Sequence, residues 1–187
     1  MTESYGNFQK AKDEISQLIS CYDDINKKNP DKAPRVLKRA TLIMILTAWE
    51  TYVEDVVEER LNEQMTLLKG SHICSYVLKN LKEKYKRFHT PDSKNTKYLF
   101  KDFLGIDVTE NWAWNNFDQE RVREQLNQWI KRRGAAVHRI SVDDNTSDAI
   151  KREEVDKCMC FFNELVLATE GALAMSDISC IQRQTLC

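Results

Sequence analysis

The chain has 187 residues and a formal net charge of -1; 42% of its residues are hydrophobic and 30% are charged. This length suits one domain with its own core, and the balanced charge excludes a uniformly basic nucleic-acid binder, so any contact with RNA or DNA must come from a local basic patch. Only five Gly and three Pro interrupt long periodic runs, which predicts an all-α protein.

The spacing of apolar residues predicts four long amphipathic helices, at about residues 5–28, 34–68, 118–133 and 148–175. Pro30 ends the first helix because its ring disfavours helical geometry at the preceding residue, and Pro34 suits the first turn of the second helix. Asp118 is a good N-cap for the third. Residues 42–46 are apolar nearly all round, which is typical of a central helix that packs on two sides.

Residues 71–116 form a less regular insert between the second and third helices. We predict two short helices in it, at about 71–88 and 94–104, followed by an ordered loop that carries two tryptophans. The insert is basic, with eight lysine and arginine residues between positions 79 and 101. A solvated face explains these charges more simply than a patch that follows a phosphate backbone.

Four long helices can bury their apolar faces only by packing around a shared core, which predicts a four-helix bundle of the up-and-down type. We expect one domain over residues 1–187, with its core at about 5–175 and a loose tail at 176–187.

Two features predict a cytoplasmic protein without a membrane partner. The first residues are polar and lack the apolar segment of a signal peptide, and the longest apolar run, Ala40 to Trp49, is about half as long as a membrane-spanning helix. The six cysteines show no framework spacing, so in such a chain we expect reduced thiols.

No residue pattern indicates a metal or a cofactor, and we expect neither. Cys158 and Cys160 lie two residues apart, which on a helix separates them by roughly 200°. His72 and Cys74 are also two residues apart, and they lack second ligands at zinc-site spacing. The sequence contains no Gly-rich phosphate loop, no G-x-S-x-G and no H-E-x-x-H.

The densest basic cluster, Lys131 to Arg139, surrounds the candidate chemical pair Arg133 and His138. Arginine supplies a fixed charge and a fork of donors for a phosphate, and histidine exchanges a proton near neutral pH. Five steps on an unbroken helix separate two side chains by roughly 140°, so the pair would not share a face. Either Gly134 allows a kink or helix end, or a two-fold dimer brings Arg133 of one chain to His138 of the other.

Residues 133–138 match the R-x4-6-H motif of the HEPN superfamily of helical-bundle proteins. Segments 48–54 and 116–130 resemble its prokaryotic RiboL-PSP/MAE-type branch, so that the resemblance covers about residues 5–175. It implies a metal-independent endoribonuclease that forms a homodimer with both motifs lining one cleft. It also implies a toxin–antitoxin or phage-defence setting, with an antitoxin or another defence partner.

The resemblance further implies roles for individual residues. The 2′-OH of RNA would attack the adjacent phosphate and leave a 2′,3′-cyclic phosphate, with His138 as general acid or base and Arg133 stabilising the developing charge. The candidate substrate-binding residues are Lys131, Arg132 and Arg139. Glu50 could orient a site residue, although a solvated position on the helix face is the simpler interpretation.

One position departs from the family pattern. Active members usually carry Asn, Asp or His directly after the motif arginine, whereas this chain has Gly134. The alternative to an enzyme is therefore a catalytically inactive HEPN-like module that binds RNA, a nucleotide or a partner protein. A purely structural helical protein is the third interpretation.

Overall fold

A computed structural model describes residues 1–30, 34–88, 90–115, 117–138 and 150–184, apart from the side chains of His138 and of residues 177–184. Within these ranges the protein is 84% helical and has no strands, so the predicted all-α bundle is confirmed. The six helices are α1 Glu3–Lys28, α2 Arg35–Gln64, α3 His72–Tyr85, α4 Ser93–Leu104, α5 Gln119–His138 and α6 Arg152–Gln184.

Side-chain caps fix where four of these helices begin. The side chains of Thr2, Ser71, Asp92 and Asp118 each accept a hydrogen bond from the backbone N–H three residues later, at 2.7–3.1 Å. Such a cap satisfies one of the N–H groups that have no partner inside the helix. At the other end of α4, Gly105 adopts the left-handed conformation (φ +71°), which glycine reaches without steric cost.

The central element is α2, which packs against α1, α4, α5 and α6. Its buried apolar residues are Leu42, Ile45, Leu46, Trp49, Tyr52, Val53, Val56, Val57 and Leu61. Trp49 is fully buried, with ring centroids 5.8–6.1 Å from those of Tyr52, Trp112 and Phe162. Its indole N–H donates to the carbonyl of Pro91 at 3.0 Å, so the polar atom of this core residue is satisfied.

The insert contributes more to the core than the sequence predicted. The two short helices form as expected, and a 3₁₀ turn, Val108–Asn111, follows them. Leu99, Phe100, Val108 and Trp112 of this region are fully buried. The insert is therefore a side of the bundle that covers α2, and not an appendage to four helices.

Three predicted boundaries need correction. The second helix ends at Gln64, and residues 66–68 form a separate 3₁₀ turn. The last helix begins at Arg152 and continues to Gln184, so the predicted loose tail starts as a continuation of that helix. The predicted start at Asp148 and the predicted loop at 141–147 lie outside the described residues.

One helix passes a length and composition test for a membrane span. The segment Arg152–Ser176 contains an 18-residue window with a mean hydropathy of 1.3, and half of that window is buried inside the bundle. The core helix of a soluble protein passes the same test, so this segment is weak evidence for a membrane span.

Candidate functional site

The motif lies on one continuous helix. α5 runs from Gln119 to His138 through Gly134, whose φ is not positive. The predicted helix end at Gly134 is therefore wrong, because one glycine weakens a helix by only about 1 kcal/mol relative to alanine. The neighbours Ala135 and Ala136 are strong helix formers, which favours continuity here. Arg133 and His138 consequently remain roughly 140° apart around the axis.

Arg133 is bound by an acidic partner from α2. Its Nη1 donates to Oε2 of Glu50 at 2.5 Å, and the two side chains keep 24% and 17% of their exposure. Because so little of the Glu50 side chain is exposed, its carboxylate lies close to the core, where an unpaired charge would be costly. The interpretation of Glu50 as a solvated residue is therefore wrong. The ion pair fixes the guanidinium and joins the end of α5 to the centre of the bundle.

The other basic residues of the motif region have different surroundings. Lys131 is exposed on α5. Arg132 forms an ion pair with Glu154 at 3.0 Å, near the start of α6, and its guanidinium lies 5.7 Å from the centroid of the Trp129 ring. His138 is the last residue of α5, and Arg139 lies outside the described residues. Of the five predicted basic and catalytic residues, Arg132 and Arg133 are thus the two with a described partner from another helix.

A second carboxyl lies near the ion pair. Glu54 is one turn after Glu50 on α2, and burial raises its pKa to about 7, with the charges of Glu50 and Asp55 contributing further. The hydroxyl of Tyr85 donates to the backbone carbonyl of Glu54 at 2.6 Å, so α3 packs on this turn of α2. Burial likewise raises the pKa of the Tyr85 hydroxyl. A group that can exchange a proton at neutral pH therefore lies one helical turn from the Arg133 partner.

Sequence reasoning missed two of these acidic residues, Glu54 and Glu154. For Glu54 a signal existed, because two glutamates four residues apart on the most apolar helix must share one partly buried face. For Glu154 there was no signal, since its contact with Arg132 depends on how α5 and α6 pack. The Asp23–Arg152 pair between α1 and α6, with two bonds of 2.9 Å, was beyond sequence reasoning for the same reason.

The basic insert has the features of a solvated face. Lys86, directly after α3, pairs with Glu83 of that helix at 2.7 Å, and Lys84 pairs with Asp102 at 3.3 Å. Lys97 binds Asp107 at 2.5 Å, which lowers the pKa of Asp107 against the effect of its burial. These three pairs neutralise part of the charge of the insert locally, which favours the solvated face over a phosphate-binding patch.

The described residues contain no group of three or more histidine, cysteine or acidic residues that could hold a metal ion. Cys158 is buried and Cys160 is exposed, which places the two thiols on different sides of α6.

A family model described as RiboL-PSP-HEPN matches residues 7–174, which include Glu50, the whole of α5 and most of α6. The resemblance drawn from the motif residues is thereby confirmed. Comparisons with curated proteins and with solved structures found no match.

Proposed function

The chain belongs to the RiboL-PSP-HEPN family, and from this membership we propose that it is a metal-independent endoribonuclease that acts as a homodimer. The membership itself indicates a ribonuclease-type or nucleotide-binding module. The observation that carries the finer proposal is the ion pair between Arg133 and Glu50, because it holds the motif arginine in a fixed orientation at the end of α5. A guanidinium has five N–H donors, so a bond from one nitrogen to Glu50 is compatible with a phosphate contact.

The unbroken α5 supports the dimer. Arg133 and His138 of one chain lie roughly 140° apart, so they do not face one phosphate together. A two-fold axis beside the end of α5 would bring Arg133 of one copy towards His138 of the other. Of the two arrangements considered from the sequence, a break at Gly134 and a two-fold dimer, we therefore propose the dimer. Such a cleft would also contain two histidines.

Two histidines in one cleft suit the reaction. The 2′-oxygen of the ribose forms a bond to phosphorus while the bond from phosphorus to the 5′-oxygen breaks. One His138 would take the proton of the 2′-OH, and its counterpart would give a proton to the departing 5′-oxygen. Arg133 would stabilise the negative charge that develops on the other phosphate oxygens. DNA would not be cleaved, because it lacks the 2′-OH nucleophile.

The neighbouring cations would bind the RNA backbone. Lys131 is exposed and carries its charge two residues before Arg133 on α5. Arg132 is held by Glu154, so its contribution would require a phosphate that shares or displaces that partner. We include Arg139 among the substrate-binding residues on the family pattern alone.

The test is cleavage of single-stranded RNA in the presence of EDTA. We expect products that end in a 2′,3′-cyclic phosphate, and loss of cleavage in His138→Ala. Arg133→Ala should lower kcat by about 100-fold or more, the usual effect of removing one donor that stabilises transition-state charge. No cleavage by the unchanged protein, or cleavage only after a divalent metal is added, would contradict the proposal.

Two variants separate a positioning role of Glu50 from a general effect of changing a charged residue. Glu50→Gln keeps the shape of the side chain but removes its charge, so Arg133 should be oriented less well and kcat should fall by about tenfold or more. As a positioning residue, Glu50 should affect kcat more than KM. Arg87→Ala, at an exposed arginine after α3, is the matched control and should leave both constants unchanged.

An inactive binding module is the second candidate, and Gly134 favours it. A Cβ at this position would meet no heavy atom within 4 Å outside the helix's own backbone and the two chain neighbours, so the first carbon of an Asn side chain has room there. If the missing polar group limits catalysis, Gly134→Asn should cleave RNA faster than Gly134→Ala, which changes only the backbone preference. RNA binding without cleavage in all of these variants would favour the binding module.

The biological setting follows from the same family. We propose a cytoplasmic toxin or phage-defence effector that an antitoxin or another defence partner restrains. Expression in cells tests this setting: the unchanged chain should stop growth, whereas His138→Ala at the same protein level should not. Equal growth with both chains would contradict a toxin role.

A further inference from the structure

A groove lined by aromatic residues lies beside the motif helix. It has a volume of about 540 Å³ and is bordered by α5, α6 and the turn that precedes α5. Four aromatic residues contribute to its walls: Trp114, Phe117, Trp129 and Phe161. We refer to it as the aromatic groove. Its size lies within the range of about 300–1,000 Å³ that is usual for small-ligand sites.

A tight turn positions two of the rings. Trp114 and Phe117 form an isolated antiparallel bridge, with the backbone N–H of each bonded to the carbonyl of the other at 3.0 and 2.8 Å. Asn115 has a φ of +43°, which this turn requires. The two rings are stacked, with centroids 5.7 Å apart and an angle of 25° between their planes. The Trp114 centroid lies 5.6 Å from that of Phe161 on α6, so three rings form one wall.

Trp129 borders the groove and has a buried indole N–H without an acceptor among the described residues. Trp129 is 6% exposed, and its Nε1 has no hydrogen-bond partner among the described residues. The two other buried tryptophans differ: Trp49 donates to the carbonyl of Pro91 and Trp112 donates to the hydroxyl of Thr169, both at 3.0 Å. A buried donor that lacks an acceptor is costly, and a ligand acceptor that displaces the groove wall over this N–H would satisfy it.

The remaining polar groups fit one class of ligand. Lys157 and Glu164 lie two turns apart on α6 and both border the groove, as does the amide of Gln125. A nucleotide combines a planar ring that stacks on aromatic side chains, ring acceptors and N–H donors, and a phosphate for the lysine. Glu164 can accept from a base N–H, while Gln125 and Trp129 can donate to ring nitrogens or carbonyls. A purely apolar ligand would leave these groups unused.

The groove adjoins the proposed catalytic arginine. Trp129 is four residues before Arg133, so the two lie on one side of α5, about one turn apart. Arg132 lies over the Trp129 ring and so connects the groove to the basic cluster. At the opposite end, the Arg121 guanidinium lies 5.2 Å from the Phe117 ring centroid. Positive charge thus flanks the aromatic wall at both ends.

We propose that the aromatic groove binds one unpaired nucleobase of the RNA substrate, adjacent to the nucleotide whose phosphate lies at Arg133. The base stacks against Trp114 and Phe117, accepts a hydrogen bond from the Trp129 indole, and places its backbone towards Lys157. This inference rests on the proposed function in that it takes RNA as the substrate, but base binding does not require that the RNA be cleaved.

Binding is therefore measured in a His138→Ala background, with a fluorescently labelled single-stranded RNA of about eight nucleotides, within the usual site size of such proteins. Trp114→Leu and Phe117→Leu should each raise Kd about tenfold, because each removes a stacking surface. Trp129→Phe, which keeps a ring and removes the N–H, should raise Kd about threefold to tenfold. Tyr76→Leu is the matched control, since Tyr76 is an exposed aromatic residue on α3, and should leave Kd unchanged.

A second measurement follows the unchanged protein and uses a variant only to assign one resonance. The indole N–H resonance of Trp129, identified by its loss in Trp129→Phe, should shift when AMP or the RNA is added, and the resonances of Trp49 and Trp112 should not. An unmoved Trp129 signal at saturating RNA, or unchanged Kd values in folded groove variants, would overturn the proposal. So would loss of dimerisation in Trp114→Leu with unchanged RNA affinity, because the groove would then be a contact between two copies.

The outcomes separate the two proposals. If the unchanged protein cleaves RNA in EDTA and the groove variants bind RNA normally, the base site is wrong and the ribonuclease stands. If the groove variants weaken RNA binding but no cleavage occurs, the base site stands and the enzyme is wrong.

Discussion

Glu54 offers a quantitative test of the electrostatics beside the motif arginine. The pKa of its carboxyl is about 7 in the folded protein, against an ordinary value of 4.5, because the group is partly buried next to Glu50 and Asp55. Between these two pH values the folded protein keeps a proton that the unfolded chain has lost. The free energy of unfolding therefore falls as the pH rises through this window. Above about pH 7 the folded state bears the full free-energy cost of the charged Glu54 carboxylate.

The size of the effect follows from the same values. The difference between 4.5 and about 7 would correspond to about 3 kcal/mol for a fully buried group. Glu54 is only partly buried, and water screens its repulsion with Glu50, so we expect about 1 kcal/mol. Replacement by glutamine removes the charge and retains the size and the helix propensity of the side chain.

Urea unfolding of Glu54→Gln and of the unchanged protein should therefore be compared at about pH 5 and about pH 8. The variant should be more stable by about 1 kcal/mol at the higher pH, and its advantage should shrink at the lower pH. Glu124→Gln, at an exposed position of α5, is the matched control and should show no such pH-dependent gain. A variant that is no more stable at about pH 8, or that has the same advantage at both values, would refute the reasoning.

Three further stability measurements test contacts between the helices. Tyr52→Phe should lower the free energy of unfolding by about 1–3 kcal/mol, because its hydroxyl donates to the buried carboxylate of Glu170 at 2.9 Å; an unchanged urea midpoint would contradict this. Leu99→Ala should cost about 2–5 kcal/mol, since Leu99 is fully buried, and a loss far below this range would show that α4 is peripheral. Arg152 hydrogen-bonds to Asp23 and thereby lowers its pKa, so this pair stabilises the protein at neutral pH and ceases to do so in acid. The difference in Tm between the unchanged protein and Arg152→Ala should accordingly shrink towards about pH 3, and a constant difference would speak against the pair.

Much of the helical architecture could be predicted because its causes are local. Apolar spacing predicted the four long helices and the two short ones, and the N-cap at Asp118 was located correctly. Local propensity also explains the errors. Gly134 is a weak helix former, but the residues around it keep the helix hydrogen-bonded to His138. A composition-based boundary at Met175 likewise could not show that α6 continues to Gln184.

For the candidate site, the sequence by itself determined the motif pair, Arg133 and His138, and hence the family of the chain. The ion pair between Arg133 and Glu50 joins residues 83 positions apart, and only the packing of α5 against α2 brings them together. The physical reason is that helix formation and charge pairing depend on different interactions. Helix formation depends on neighbours in the chain, whereas a charge near the core finds its partner through the tertiary fold. The same packing decided that Trp129 would border the aromatic groove and that its indole N–H would have no acceptor among the described residues.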